Sequence, residues 1–273
     1  MGGPLQLLNR NTSDVRIIFY GGEPLANFNA INKVVTTATQ TKLNCNYVLI
    51  TNGCLITEEI ADFLKDNKFS VSISLDGNEK TNDKVRKTRD GNGSFEKVLK
   101  GLDILADKDI RFAVSCTIST HNIDCPEEIL DILDQYKVRG MGFNLMTPNE
   151  NIHIDDKDRE KMIDNILLAE DQIIQRGIIE DRIINRKLKP FVEGKNWLMD
   201  CAGYGKQVVI SPEGRVGTCH GLWPDFINEN ANTYFDIDVN YTGQIINHPT
   251  WIEWYNRTPL NMPQCWSCFG IGL

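Results

Sequence analysis

The sequence predicts an α/β fold built on a parallel sheet, and three features of its 273 residues support this. Short apolar runs rich in β-branched residues alternate with amphipathic, helix-like segments over more than half of the chain. The alternation occurs five times, as expected when helices connect parallel strands in an open sheet or a barrel. Beyond Gly194 the long periodic segments give way to Gly, Trp, Asn and Cys, which indicates a second, smaller domain.

The predicted strands are short and rich in apolar residues, with residues 69–75 alternating apolar and polar, and the predicted helix at residues 95–107 has one apolar face. The strands are expected at residues 15–20, 46–51, 69–75, 111–118 and 142–146. The helices are expected at residues 25–39, 57–66, 95–107 and 126–136. Thr57 is a predicted N-cap, and Pro126 stands where its missing N–H has little cost.

The rest of the chain is predicted to form a charged helical bridge at residues 155–188 and then the smaller domain. The boundary near Gly194 gives domains of residues 1–194 and 195–273. The second domain has turn chemistry at Ser211-Pro212-Glu213-Gly214, typical of a hairpin, and a helix-like segment at residues 248–255.

Composition excludes several classes of protein. A formal net charge of −8 argues against a nucleic-acid binder, because such proteins usually present a basic face. No apolar run is long enough to span a bilayer, so no membrane partner is expected, and the first residues do not resemble a secretory signal. We therefore expect a cytoplasmic protein whose eight cysteines stay reduced and available to metal.

Four cysteines in the last quarter of the chain suggest metal ligation. Cys201 and Cys219 flank the predicted hairpin, and Cys265 and Cys268 form a C-x-x-C pair. Thiolates suit iron–sulfur clusters, but four of them also suit one tetrahedral zinc site. The other four cysteines, Cys45, Cys54, Cys116 and Cys125, do not have the spacing of a metal-binding motif. We interpret Cys116 as a core residue and the other three as incidental thiols.

The predicted strands end in residues that suit a ligand loop. Gly21-Gly22-Glu23-Pro24 allows close backbone approach, and Glu23 can accept hydrogen bonds from an ammonium group. Thr51-Asn52-Gly53 and Ser74-Leu75-Asp76-Gly77 end the next two strands, although each could be only a turn. Arg86 could bind a carboxylate, or it could pair with Asp83 one helical turn away.

The order GGEP, TNG, SLDG, D-x-x-R and Gly93-Ser94-Phe95 is more specific than any one motif. It resembles the radical S-adenosylmethionine (SAM) enzymes, and among them the peptide and protein maturases with a cysteine-rich SPASM domain. Anaerobic sulfatase-maturating enzymes are related to this group. The resemblance covers nearly the whole chain and implies a partial (β/α)6 TIM-like barrel followed by a small SPASM domain.

The resemblance implies a role for each matching residue. The residues implied to bind or order SAM are Gly21, Gly22, Glu23, Asn52, Ser74 and Arg86. The GGEP segment would hold the SAM amino group, Ser74 the ribose or carboxylate and Arg86 the methionyl carboxylate, while Asn52 would order the neighbouring loop.

Auxiliary [4Fe–4S] clusters are implied for the second domain. Cys201 and Cys219 would ligate the first cluster, and Cys265 and Cys268 the second. His220 replaces an aspartate that sulfatase maturases carry after the equivalent cysteine, so it is a candidate for proton transfer or a packing residue beside a cluster.

The implied reaction begins with electron transfer from a reduced cluster to SAM. A 5′-deoxyadenosyl radical then removes hydrogen from a peptide or protein, which leads to a crosslink, thioether or oxidation. A reductant such as flavodoxin or ferredoxin is implied as a partner. Two alternatives remain: a sulfatase maturase that forms formylglycine, which His220 disfavours, and a non-catalytic peptide-binding barrel.

The sequence departs from the family pattern at both ends. No C-x-x-x-C-x-x-C motif precedes GGEP, and position 273 lacks the cysteine that the SPASM pattern places five residues after Cys268. These departures favour a fragment, and the chain as given is expected not to cleave SAM.

Overall fold

The computed structural model describes residues 14–41, 43–124, 126–146, 154–180, 192–194, 207–220, 234–236, 247–256, 261 and 263. The chain divides into two compact units, and the larger is Asp14–Lys189. Pro190–Leu273 belong to the second unit together with Met1–Ser13.

The larger unit is built on a six-stranded sheet in which every neighbouring pair of strands is parallel. Its strands are β1 (Asp14–Phe19), β2 (Asn44–Thr51), β3 (Ser70–Ser74), β4 (Phe112–Ile118), β5 (Gly140–Leu145) and β6 (Ile179–Glu180). They lie in sequence order, β1-β2-β3-β4-β5-β6, so all their carboxyl ends meet at one edge. The predicted α/β fold is confirmed, and that edge is where such folds bind ligands.

Because the parallel strands follow one another in sequence order and such crossovers are right-handed, the connecting helices lie on one face of the sheet. They are α1 (Phe28–Thr39), α2 (Glu58–Asp66), α3 (Glu79–Val85), α4 (Phe95–Asp107), α5 (Leu130–Gln135) and α6 (Asp156–Gln175). The bounds of α4 are as predicted, and the Thr57 hydroxyl caps α2 by accepting from the Ile60 amide at 3.3 Å. The predictions missed α3, a short polar helix without an apolar period.

Two predicted helices begin differently from expectation. Pro24–Asn27 is a separate 3₁₀ turn before α1, because Asn27 caps the Ala30 amide and restarts the helix there. Pro126–Ile129 is likewise a 3₁₀ turn before α5.

The core lies between the sheet and these helices. Leu49, Ile73 and Leu102 are fully buried there, and Tyr47 stacks on Phe69 with ring centroids 5.2 Å apart. Successive strand residues point to opposite faces, so the residues between these apolar ones form the other face of the sheet.

Gly101 of α4 packs against the backbone of Gly53 in the β2–α2 loop. A Cβ built on Gly101 would lie 2.4 Å from the Gly53 carbonyl oxygen, and a backbone atom cannot rotate away as a side chain could. We expect Gly101→Ala to lower the free energy of unfolding by about 2 kcal/mol, despite the better helix propensity of alanine. Urea denaturation measures this. Gly140→Ala is the control, since its nearest neighbour is the Ala113 Cβ at 3.6 Å. Equal stability of the two variants would contradict the packing argument.

The predicted bridge at residues 155–188 is partly wrong. Helix α6 ends at Gln175, Gly177 adopts a φ of +65°, and Ile179–Glu180 form the edge strand β6. A two-residue strand is too short to produce a period in the sequence, which explains the error. Residues 181–188 lie outside the described part of the chain.

Glu170 on α6 is buried, and neither of its carboxylate oxygens has a hydrogen-bond partner among the described residues. Burial, followed by the negative charges of Glu180 and Asp171, raises the pKa of Glu170 from 4.5 to about 7. The native state therefore binds this proton more tightly than the unfolded chain does. Stability consequently falls as the pH rises through the interval between the two pKa values.

Glu170→Gln should remove that pH dependence. We expect its free energy of unfolding to match the wild type near pH 4.5 and to exceed it by about 2 kcal/mol near pH 8. Urea denaturation at both pH values measures the difference. The exposed Glu160→Gln on the same helix is the control. A gain of equal size at both pH values would show that ionisation of Glu170 is not the cause.

The second unit contains a small antiparallel sheet of strands β7 (Val209–Ile210), β8 (Arg215–Gly217) and β9 (Tyr234–Asp236). The predicted hairpin turn is confirmed: the Gly214 amide donates to the Ser211 carbonyl at 2.9 Å, and Gly214 has a φ of +86°. The predicted helix is found as α7 (Pro249–Tyr255). Among the described residues, no helix combines the length and apolar character that a membrane span requires.

Candidate active site at the carboxyl edge of the sheet

The loop after β1 presents its backbone to open space. Gly21 has a φ of +137°, a conformation that disfavours residues with a Cβ. A Cβ built at Gly21 or Gly22 would meet no atom of the described residues within 4 Å, so none of their side chains packs against the loop there. A ligand can therefore approach the peptide groups of this loop closely.

Glu23 links the loop after β1 to the loop after β2. Its Oε1 accepts from the Leu25 amide at 3.0 Å and from the Thr51 hydroxyl at 2.6 Å, and its Oε2 accepts from the Asn52 amide at 2.8 Å. These bonds orient the carboxylate, and Oε2 keeps a second lone pair for a ligand donor. That Glu23 receives an ammonium group stays a prediction.

Asn52 closes its own loop. Its Oδ1 accepts from the Cys54 amide at 2.9 Å, while the Gly53 amide donates to the Thr51 hydroxyl at 3.1 Å. Cys54 is half-buried beside this loop, and burial followed by the negative charge of Glu23 raises the pKa of its thiol. The second loop is thus ordered by its own polar groups and by Glu23.

Asp76 and Arg86 form a two-point ion pair at the end of β3. Arg86 Nε donates to Asp76 Oδ2 at 2.6 Å, and Nη2 donates to Oδ1 at 3.0 Å. The Asp76 side chain is 7% exposed, and its Oδ1 also accepts from the Thr117 amide at 2.8 Å, which ties β3 to β4. The guanidinium Nη1 takes no part in the pair, so a contact of Arg86 with a ligand carboxylate through Nη1 stays a prediction.

The alternative pair of Arg86 with Asp83 is wrong. Helix α3 ends at Val85, and Arg86 is extended, with φ −93° and ψ 100°, so its side chain turns back toward the strand end. Asp83 instead caps α4, because its Oδ1 accepts from the amides of Ser94 and Phe95 at 2.9 Å each.

Two buried asparagines that the sequence motifs did not single out hold the strand ends together. Asn82 is fully buried; its Oδ1 accepts from the Asp76 amide at 3.2 Å, and its Nδ2 donates to the Ser94 hydroxyl at 3.2 Å. Asn122 is 3% exposed, and its Nδ2 donates to the carbonyls of Asp76 and Thr117 at 3.0 and 2.9 Å. Only Asn82 had a signal in the sequence, since it directly precedes the D-x-x-R motif.

Ser74 is half-buried on the face of the sheet opposite the helices. Its register partner is Ser115 on β4, which pairs with Gly142 on β5 and accepts a 2.8 Å hydrogen bond from the Asn144 side chain. A closed barrel of this type fills its interior with large branched side chains. Small residues instead stand side by side on β3, β4 and β5 at this register, and the contact of Ser74 with a ligand stays a prediction.

The predicted metal ligands are only partly described. Cys219 is half-buried and His220 is exposed, directly after the hairpin β7–β8. Cys201, Cys265 and Cys268 lie outside the described residues. In the part of the chain that the structure describes, no group of three or more His, Cys, Asp or Glu residues could hold a metal ion.

The other thiols agree in part with expectation. Cys116 is 1% exposed in β4 and is a core residue, as predicted, and burial strongly raises the pKa of its thiol. Cys45 is half-buried in β2, and Cys125 lies outside the described residues.

The site fits SAM but supplies no ligand set for a SAM-binding cluster. An open glycine loop, an oriented carboxylate and a face of small polar residues suit a nucleoside with an amino-acid group. The sequence has no C-x-x-x-C-x-x-C motif, so no step can be derived through a cluster at this edge.

Several known proteins are similar to this chain in sequence. Residues 6–118 match the model of the radical SAM superfamily. An uncharacterized protein of Methanocaldococcus jannaschii is 37% identical over 150 residues, which are 54% of this chain and 52% of that protein. The radical SAM cyclopropyl synthase TigE of Paramaledivibacter caminithermalis is 26% identical, and the matched region covers 98% of this chain and 54% of the length of TigE. The cysteine-type anaerobic sulfatase-maturating enzyme of Clostridium perfringens is 24% identical over 78% of this chain and 61% of its own.

Solved structures share the fold. The chain matches anSMEcpe with bound AdoMet at a TM-score of 0.74 and 21% identity, over 91% of this chain and 70% of that one. It matches Streptococcus suis SuiB bound to the precursor peptide SuiA at a TM-score of 0.57 and 15% identity, over 93% and 56% of the two chains. The chain spans about half the length of the first two curated relatives. These findings show that the chain carries a radical SAM domain and is homologous to TigE and the anaerobic sulfatase-maturating enzymes.

Proposed function

We propose that this chain supplies the SAM-binding edge of a radical SAM enzyme that modifies a peptide or protein. One observation carries the proposal: Glu23 and Asp76 cross-link the loops after consecutive strands around an open glycine loop. SAM bound to a reduced [4Fe–4S] cluster supplies, in this superfamily, a radical that removes hydrogen from the substrate. A peptide substrate is supported by the structure of SuiB with its precursor peptide.

Each residue of the edge has a proposed task in binding. The peptide groups of Gly21 and Gly22, with the second lone pair of Glu23 Oε2, hold the SAM amino group. Ser74 receives the ribose or the carboxylate. Arg86, already oriented by Asp76, offers Nη1 to the methionyl carboxylate.

The second domain has a proposed role in electron and proton transfer. We propose that residues 195–273 form a SPASM-like domain in which Cys201 and Cys219, and then Cys265 and Cys268, ligate auxiliary [4Fe–4S] clusters, with His220 as a proton-transfer residue. A flavodoxin or ferredoxin is the proposed reductant, and the cytoplasm the proposed location. Absorption spectra after anaerobic reconstitution test the metal, because zinc is colourless and iron–sulfur clusters are brown.

A second candidate function is sulfatase maturation. The similarity to the cysteine-type enzyme of Clostridium perfringens favours it, whereas a histidine at position 220 opposes it. An assay for formylglycine on a sulfatase peptide that carries Cys or Ser distinguishes the two proposals, and formylglycine production would favour this second one.

The first test is reductive SAM cleavage by the chain alone. No 5′-deoxyadenosine is expected after anaerobic reconstitution and reduction with dithionite, because the sequence lacks the three-cysteine motif. A sulfatase-maturating enzyme assayed in parallel is the positive control. Production of 5′-deoxyadenosine above the level without protein would contradict the proposed inactivity of the isolated chain.

A further inference from the structure

Residues 87–93, which we call the 87–93 hairpin, join α3 to α4 at the carboxyl edge of the sheet. Lys87 and Gly93 pair across its base, and the Thr88 amide donates to the Asn92 carbonyl at 2.9 Å. The side chains of Thr88 and Asn92 both donate to the Asp90 carboxylate. These bonds give the hairpin a defined shape although its tip is exposed.

The base of the hairpin is anchored to the candidate SAM site. Asn82 connects the Asp76 amide to the Ser94 hydroxyl, and Asp83 accepts from the Ser94 amide. A Cβ on Gly93 would lie 1.7 Å from Asp83 Oδ2, so this contact requires glycine. The hairpin is therefore held at a fixed position relative to the end of β3.

The segment around the hairpin is basic in an otherwise acidic chain. Residues 79–97 contain six Lys or Arg residues and four Asp or Glu residues, whereas the chain has a net charge of −8. Lys87 and Arg89 are exposed and form no ion pair with any described residue. Lys84 is also exposed, and its Nζ lies 3.5 Å from the His121 carbonyl oxygen.

The acidic residues of the segment are engaged elsewhere. The Asp83 carboxylate accepts hydrogen bonds from the backbone amides of Ser94 and Phe95. The Asp90 carboxylate accepts hydrogen bonds from the Thr88 and Asn92 side chains, and these bonds lower the Asp90 pKa to about 2. Glu79 and Glu96 lie in the first turns of α3 and α4, where the positive ends of the helix dipoles stabilise their negative charges. Lys84, Lys87 and Arg89 thus form a positively charged rim beside the site.

We propose that the 87–93 hairpin and Lys84 dock an acidic segment of the peptide substrate. The inference rests on the proposed function, because a substrate must enter at this edge to reach SAM. Unlike charges at a rim steer the partner and fix its register. An electron-transfer protein with an acidic face is the alternative occupant, and the test below distinguishes it from the peptide.

Peptide binding tests the proposal without any turnover. Fluorescence anisotropy of the purified chain is measured with a labelled peptide of Gly, Ser and Glu, and with a matched peptide that has Gln in place of Glu. We expect the Glu peptide to bind about tenfold more tightly, and this preference to shrink when NaCl is raised from about 50 to about 300 mM. Lys87→Glu/Arg89→Glu should abolish the preference, since both side chains are exposed and reversal turns attraction into repulsion.

Lys68→Glu/Lys137→Glu is the matched control, because it reverses two exposed cations at the opposite edge of the same sheet. Equal binding of the two peptides, or equal losses in both double variants, overturns the proposal. The proposal is also overturned if a hairpin variant loses binding to a flavodoxin while it keeps the peptide preference.

SAM binding to the wild-type chain, measured by equilibrium dialysis, distinguishes failure of the proposed function from failure of the docking site. Peptide preference without SAM binding overturns the proposed function alone, and SAM binding without preference overturns the docking site alone.

Discussion

Replacing Asp76 with alanine is expected to lower the free energy of unfolding by about 3 kcal/mol. The Asp76 carboxylate accepts from Arg86 Nε, Arg86 Nη2 and the Thr117 amide, and it is nearly buried. Alanine leaves the guanidinium, which is 27% exposed, without its counter-charge and leaves the Thr117 amide without its acceptor. Removing one partner of a buried ion pair is costly because the other charge stays desolvated.

Urea denaturation measures this effect, and Asp62→Ala is the matched control. Asp62 binds Lys108 at 2.6 Å, the same separation as Arg86 Nε from Asp76, but the Asp62 side chain is 59% exposed. Such a surface pair contributes less than about 1 kcal/mol. If Asp76→Ala costs no more than Asp62→Ala, Asp76 does not hold the strand ends together as described.

Replacing Glu23 with glutamine is expected to weaken SAM binding at least tenfold, a loss of about 1.4 kcal/mol or more in binding free energy. Glutamine keeps the size of the side chain but replaces one acceptor oxygen with an NH₂ donor. That donor must face either the Asn52 amide or the Leu25 amide, each of which is itself a donor. The loops after β1 and β2 then lose their link, and a donor left unsatisfied also costs about 1–3 kcal/mol of stability.

Equilibrium dialysis with radiolabelled SAM measures the affinity, and thermal denaturation measures the stability. Glu58→Gln is the control, because Glu58 is an exposed carboxylate that pairs with Lys108 in the same unit. A Glu23→Gln chain that binds SAM as tightly as the wild type would remove Glu23 from the binding site.

The sequence predicted the elements whose signals are local. Helix α4 was predicted at its observed bounds because its apolar residues repeat with the helical period over thirteen residues. The five longer strands were predicted within two residues of their ends, since apolar runs between turn signals define them. Helix α3 and strand β6 were missed because neither is long or apolar enough to give a period.

The site was harder to predict because its bonds join residues far apart in the chain. Asp76 bonds to the Thr117 amide 41 residues away, and Glu23 bonds to Asn52 29 residues away. Helical spacing suggested the wrong partner for Arg86, because the chain is helical only to Val85 and Arg86 itself is extended. The strand-end motifs indicated where the site lies, and only the fold shows which polar groups meet there.

Hydrogen–deuterium exchange of the chain with and without saturating SAM shows which edge of the sheet SAM binds. If the carboxyl edge of this sheet binds SAM, exchange should slow in residues 20–25, 51–54 and 74–77. Residues 108–112 and 137–140, at the opposite edge, should exchange at the same rate in both samples. Unchanged exchange at all three carboxyl-edge loops, or protection confined to the opposite edge, would show that SAM does not bind at the carboxyl edge.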